Sequence, residues 1–177
     1  DTICPCLDSL LRANCFDQFI FVIDTRTKDN TYQLLRYYAS LHPETKLELF
    51  DWTEDDFSKA RNVSLRLANT QYGFWMDDDD ILLDGQGLHN ILKNPEGKAY
   101  LFKVLITTPE GNLDVIDHLR LFPMVKGLKW ELPVHEQIAF SLREAGIEEV
   151  HTPHRILHTG YTTREEVAKK HERNLRI

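Results

Sequence analysis

Phe74-Trp75-Met76-Asp77-Asp78-Asp79-Asp80-Ile81 is an apolar run that ends in four consecutive carboxylates. The run reads as a strand. In an extended chain alternate side chains share a face, so Asp77 and Asp79 are expected to point together while Asp78 and Asp80 point elsewhere. Four adjacent like charges are unfavourable unless something positive neutralises them, and oxygen ligands select a hard cation such as Mg²⁺ or Mn²⁺. The ordinary alternative is a solvated acidic turn. The aromatic-rich strand directly before the run weighs against it.

Upstream, the pattern alternates helix and strand. Residues 5–14 place Leu7, Leu10 and Leu11 at helical spacing, and residues 18–23 (QFIFVI) read as a buried parallel strand. Asp29 or Asn30 is placed to cap a helix over 31–41, and 47–50 is a short strand. A helix follows Asp56 with Phe57, Ala60, Val63, Leu67 and Ala68 on one face, and 71–76 returns to strand. Such an order predicts crossover connections, a parallel sheet, and ligands at the carboxyl ends of its strands. Downstream the character changes. Strands over 99–108 and 113–122 flank Pro109-Glu110-Gly111-Asn112 as a hairpin. A helix from about His135 to Ala145, a His-rich strand over 150–157 and a basic helix from Thr163 follow. The expectation is a single α/β domain over residues 1–177, parallel in its first half and mixed in its second.

Composition narrows the function. With 177 residues, 42% hydrophobic and 10% aromatic, the chain can bury one sizeable core. A net charge of -7 argues against a nucleic-acid binder, and a phosphorylated substrate would need a bridging cation or a local cluster of Lys and Arg. No apolar run is long enough to span a bilayer, and no signal-peptide pattern is present. Cys4, Cys6 and Cys15 match neither a zinc knuckle nor a redox pair, so they read as free thiols in a reducing compartment. A cytoplasmic location, with room for peripheral membrane attachment, is the expectation. The chain opens at Asp1 without a methionine, so it is expected to be a processed product or a piece of something longer.

Several short segments, taken in order, carry a resemblance. They are Val22-Ile23-Asp24-Thr25 with Asp29-Asn30-Thr31, Trp52 with Asp56-Phe57-Ser58-Lys59-Ala60-Arg61-Asn62, and Trp75 to Asp80. Arg120-Leu121-Phe122, Trp130, Val134-His135-Glu136, His158-Thr159-Gly160-Tyr161 and Lys169-Lys170 with Arg173-Asn174-Leu175 complete the set. Together, over nearly the whole chain, they resemble a family 2 glycosyltransferase of the GT-A fold, in the subgroup related to lipopolysaccharide-core glucosyltransferases. The implied fold is a Rossmann-type α/β sandwich with a mainly parallel central sheet and a mixed C-terminal half.

The resemblance implies an inverting, hexosyltransferase-like enzyme that moves a sugar from a nucleotide-sugar, a UDP-sugar, to an acceptor hydroxyl on a glycan, lipid-linked or protein acceptor. It also implies residue roles. Asp77, Asp79 and His158 would hold Mn²⁺ or Mg²⁺, and Asp24 would accept a hydrogen bond from the donor's uracil. Arg61, Asp78 and Trp130 would contact the nucleotide-sugar, and Lys170 and Arg173 would close over its phosphates. Glu136, beside His135, would be the base that takes the acceptor proton. Competing readings remain for Asp24 as a helix-approach carboxylate, Arg61 as a snorkelling surface arginine, Glu136 as a first-turn glutamate favoured by the helix dipole, and the last helix as a solvated basic face. A cation-dependent phosphohydrolase and a non-catalytic binding remnant of the fold are the other function classes.

Two departures from the resemblance carry expectations. Arg26-Thr27 stands where relatives have Gly-Ser, beside the expected base pocket. Relatives begin with a strand that this sequence lacks, so the chain alone is expected to bind nucleotide weakly and to associate through a bare strand edge.

Overall fold

The computed structural model describes residues 2–52, 56–161 and 163–175, with the side chains of Glu166, Lys169 and Arg173 outside the description. The elements run α1 (Ile3–Ala13), β1 (Phe19–Asp24), α2 (Thr31–Leu41), β2 (Thr45–Phe50), α3 (Phe57–Leu67), β3 (Tyr72–Phe74) and β4 (Asp80–Leu82). They continue with α4 (Gly85–Lys93), β5 (Ala99–Thr107), β6 (Leu113–Pro123), α5 (Ala139–Glu144), β7 (Glu149–His158) and α6 (Arg164–Asn174). The described residues gather into two compact units, one within 2–16, 74–123 and 147–175, the other within 17–52, 56–73 and 124–146.

In the first unit, α1 buries Ile3, Cys6, Leu7, Leu10 and Ala13, the i, i+3, i+4, i+7 stripe of an amphipathic helix. The helix ends at Asn14, whose left-handed backbone (φ 47) returns its N–H to Leu11 O. The strands of this unit's sheet run in the order β6-β5-β7-β4. β5 and β6 form the antiparallel hairpin expected around residues 109–112, β5 pairs parallel with β7, and β4 pairs antiparallel with β7. Leu88, Phe102, Leu121 and Ile156 pack essentially inaccessible beneath it.

In the second unit, β1 and β2 pair in parallel from Phe19–Thr45 to Asp24–Phe50, with α2 and α3 packed on them. The Tyr38 ring stands edge-on to Phe19 and Phe21. Asp56 caps α3 by accepting from Lys59 N. Asp29 accepts from Thr31 N at the start of α2, whose bounds are those expected.

Three expectations are corrected. Parallel pairing of the early strands is confined, among the described residues, to β1 and β2, and β3 pairs with neither. Residues 77–79 are not a strand end: Asp80 N donates to Asp77 O (3.1 Å) and the Asp80 carboxylate accepts from Asp77 N (3.0 Å), which curls the run into a turn. The helix expected from His135 begins only at Ala139. Leu132 (φ 73) and His135 (φ 56) are left-handed, and a bridge between Glu131 and Gln137 closes the segment as a loop.

Candidate active site

The acidic turn lies in the first unit. Asp80, fully buried, accepts from Arg120 Nη1 (2.7 Å) and Asp77 N through one oxygen and meets His158 Nδ1 (2.8 Å) through the other. Arg120 is itself buried, with its guanidinium 3.8 Å from the Trp75 ring centroid. Asp78 is exposed and accepts from Thr2 Oγ1 (2.6 Å) at the start of α1, away from the other three. Asp77 fixes α1 from the main-chain side, its carbonyl accepting from Cys6 Sγ (3.4 Å).

Asp77, Asp79, Asp80 and His158 each offer a ligand atom, all within 4.8 Å of one another. Alternation had placed Asp80 away from Asp77 and Asp79; the turn brings it in. His158 Nδ1 lies 3.2 Å from Asp79 Oδ1, yet that oxygen is buried and accepts no hydrogen bond, because the ring nitrogen is directed at Asp80. A buried carboxylate oxygen with unused lone pairs, among two other carboxylates and an imidazole, fits a hard divalent cation.

The titration directions agree with that crowding. Burial raises the Asp79 pKa, His158 and Lys170 pull it down, and Asp77 and Asp78 add to the rise. For His158 burial opposes protonation, but the bond to Asp80 and the charges of Asp79 and Asp80 outweigh it and raise the pKa. The Cys6 thiol is pushed up to about 12, by burial first and then by the four aspartates. Cys4 and Cys6 form no disulfide.

Behind the turn, Thr159 N and Oγ1 both donate to Asp79 O (2.9 Å each), which joins the end of β7 to the acidic run. At Gly160 a Cβ would fall 2.0 Å from Asp79 Oδ2 and 2.3 Å from Lys170 Nζ, so a larger residue would have to displace the Asp79 and Lys170 side-chain ends that meet there. Lys170 reaches Asp79 Oδ2 (3.2 Å) from α6. The Arg173 side chain lies outside the described residues.

The second unit holds the remaining candidates. Asp24 ends β1 and is gripped by Arg26 through its main-chain N (2.8 Å) and its guanidinium (2.9 to 3.1 Å). The Arg26 bond is the main reason its pKa is lowered. Arg61 is not a surface arginine: its Nε donates to Glu136 Oε1, and its guanidinium lies 5.2 Å from the Trp130 ring centroid. Glu136 therefore sits in the loop before α5, held by an arginine, and not in a helical first turn. Trp130 is only 4% exposed. Asn62, which sequence reasoning gave no role, clamps its main chain from both sides, Nδ2 to Trp130 O (2.9 Å) and Trp130 N to Oδ1 (2.8 Å). Phe57 N donates to Pro133 O (2.9 Å), so α3 holds the loop at both ends. His135, beside Glu136, is exposed.

The sequence model of the family described as Glycosyl transferase family 2 matches residues 1–157. The chain belongs to that family. Its GT-A fold is shared with TarS of S. aureus, at a TM-score of 0.61 and 15% identity over 90% of this chain and 34% of TarS. It is also shared with GalNAc-T7, solved with UDP, GalNAc and Mn²⁺, at a TM-score of 0.62 and 11% identity over 97% of this chain and 45% of that protein. The family 2 chain thus spans less than half the length of either protein. No curated protein matches it. Among the described residues, no helix is long and apolar enough to cross a membrane.

Proposed function

We propose that residues 1–177 form one catalytic domain of a metal-dependent, inverting glycosyltransferase that takes its sugar from a UDP-sugar. The observation that carries this reading is the cluster of Asp77, Asp79, Asp80 and His158 with its unsatisfied buried Asp79 oxygen, in a chain of this family. Asp77, Asp79 and His158 would hold Mn²⁺ or Mg²⁺, with Asp80 fixing His158. When bound, the cation supplies charge stabilisation to the diphosphate leaving group. GalNAc-T7, of like fold, was solved with Mn²⁺ and UDP, which supports the choice of ion and nucleotide.

The remaining roles fall to the chain's own groups. Asp78, Lys170 and Arg173 would attend the phosphates, and Asp24 the uracil once it exchanges Arg26 for the base. Arg61 and Trp130 would shape the donor pocket, with Trp130 acting through Arg61 because its ring is covered. Glu136 would take the proton from the acceptor hydroxyl as that oxygen attacks the anomeric carbon, with His135 beside it. A hexosyl donor, kinship with the lipopolysaccharide-core subgroup, a glycan, lipid-linked or protein acceptor and a cytoplasmic location belong to the same reading.

Calorimetry with UDP tests it. Binding is expected in Mn²⁺ and is expected to vanish in excess chelator, and equal binding in both would overturn the metal site. A panel of nucleotide-sugars then reads out the reaction: release of intact UDP supports transfer, while release of inorganic phosphate would reassign the site to phosphohydrolysis.

A further inference from the structure

The inward face of α6 carries a charge. Among its described side chains Val167, Lys170 and Asn174 are half-buried, while Arg164, Glu165, Ala168, His171 and Glu172 are exposed. Positions i, i+3 and i+7 therefore mark the stripe turned toward the unit, where an apolar residue is the usual occupant. Lys170 is 26% exposed, its ammonium 3.2 Å from Asp79 Oδ2 and 4.3 Å from the Tyr161 ring centroid. Ammonium and carboxylate meet over the bare main chain of Gly160, where a Cβ would push them apart.

Among the described side chains three cationic ones face the acidic turn, and they are not equally fixed. Arg120 comes from β6, is 3% exposed, and is held by Asp80 at 2.7 Å and by the Trp75 face. His158 comes from β7 and is held between Asp80 and Asp79. Lys170 comes from a surface helix on a flexible four-carbon stem. Its contact with one oxygen, at 3.2 Å, is long for a charge-assisted hydrogen bond. Of the three, it is the cation that leaves at least cost.

We propose that Lys170 is a built-in counter-ion: it holds the Asp79 carboxylate in the metal-free protein and gives it up when a divalent cation binds. Lys170 thereby sets the cation affinity of the site and links the seating of α6 to its occupancy. An ammonium and a divalent cation on one carboxylate repel each other, so the two compete, and competition lowers the apparent affinity by the fraction of sites the lysine holds. This inference rests on reading Asp77, Asp79 and His158 as the cation site.

The test is a Mn²⁺ titration of the whole chain, wild type against Lys170→Met, with free Mn²⁺ read by electron paramagnetic resonance. Methionine keeps an apolar stem and removes the charge. The variant is expected to bind Mn²⁺ about tenfold more tightly, within the usual range of coupling between two ligands. Amide exchange in α6 is expected to rise when Mn²⁺ is added to wild type, and to be raised already in the variant without it. Equal or weaker binding by the variant would overturn the counter-ion role while leaving the cation site standing. Failure of both proteins to bind Mn²⁺ would overturn the cation site and this role with it. Should the variant not fold, the wild-type exchange measurement decides alone: unchanged α6 protection on Mn²⁺ binding refutes the exchange.

Discussion

Asp79 and Asp80 are neighbours with opposite expected consequences on substitution. Asp80→Asn removes the negative charge from a fully buried site and leaves Arg120, 3% exposed, without an ionic partner. Removing one member of a buried pair costs about 3–5 kcal/mol. The Trp75 face, 3.8 Å from the guanidinium, and the amide oxygen that asparagine retains place the loss near the lower end. For a chain of this length about 3 kcal/mol corresponds to a fall in Tm of roughly 6–12 °C. Asp79→Asn works the other way. Burial already raises the Asp79 pKa, so its charge is held at a cost, and what is lost is two long contacts, to Lys170 and to His158 (3.2 Å each). Its effect on stability is expected to stay within about 1 kcal/mol, while Mn²⁺ binding is lost. Thermal melts by circular dichroism in chelator, beside Mn²⁺ titrations of both variants, separate the two roles. A wild-type Tm for Asp80→Asn, or equal destabilisation by the two substitutions, would refute the division of labour within the turn.

Glu136→Gln is expected to lower sugar transfer by roughly two to four orders of magnitude with donor affinity retained; an unchanged turnover of nucleotide-sugar hands the role of base to another group. In chelator, stability is expected to fall as pH rises. The His158 pKa is raised above its ordinary 6.5 in the folded protein, so its contribution is full below 6.5 and is lost as pH climbs through the folded value. Urea midpoints across that range should flatten in His158→Gln, and a wild-type midpoint that does not fall would contradict the sign. Cys6, with its thiol pushed up to about 12, is expected to resist maleimide at pH 8 until the protein is unfolded; mass spectrometry of the labelled chain shows whether it does.

Local signals carried the helices well and the turn poorly. α2 was legible to the residue because Asp29 supplies a cap beside a clean periodic run, and α1 because its leucines keep helical spacing around Pro5. The 77–80 turn was not, because what bends it is the burial of Asp80 against Arg120, forty residues away. The loop before α5 hid for a related reason: left-handed Leu132 is a residue type that gives no warning of a positive φ, and His135, of a type more often found there, stands where the pattern reads as a helix start. β4 and α4 were missed between them, although Asp84 followed by Gly87 is a cap signal that could have been used. Gly87 itself is required by the His154 ring, 2.1 Å from where its Cβ would stand, which no local pattern announces.

The expectation that four adjacent carboxylates demand a positive partner was right in kind and incomplete in its accounting of sources. The chain brings its own cations from distant strands and a helix: Arg120 from β6, His158 from β7 and Lys170 from α6. That lets the turn form before any metal arrives, which a carboxylate cluster relying on the ion alone does not. The supply is graded. Asp80 is neutralised by buried Arg120 and by His158, Asp78 is turned outward to Thr2, and Asp79 is left with one oxygen that accepts no hydrogen bond, a longer share of His158 and one loosely held lysine. A run that looks uniform in sequence is therefore split by its surroundings into an anchor, an outlier and a ligand. The residue to vary in search of altered metal preference is Asp79, whereas Asp80 is needed for the turn that presents it.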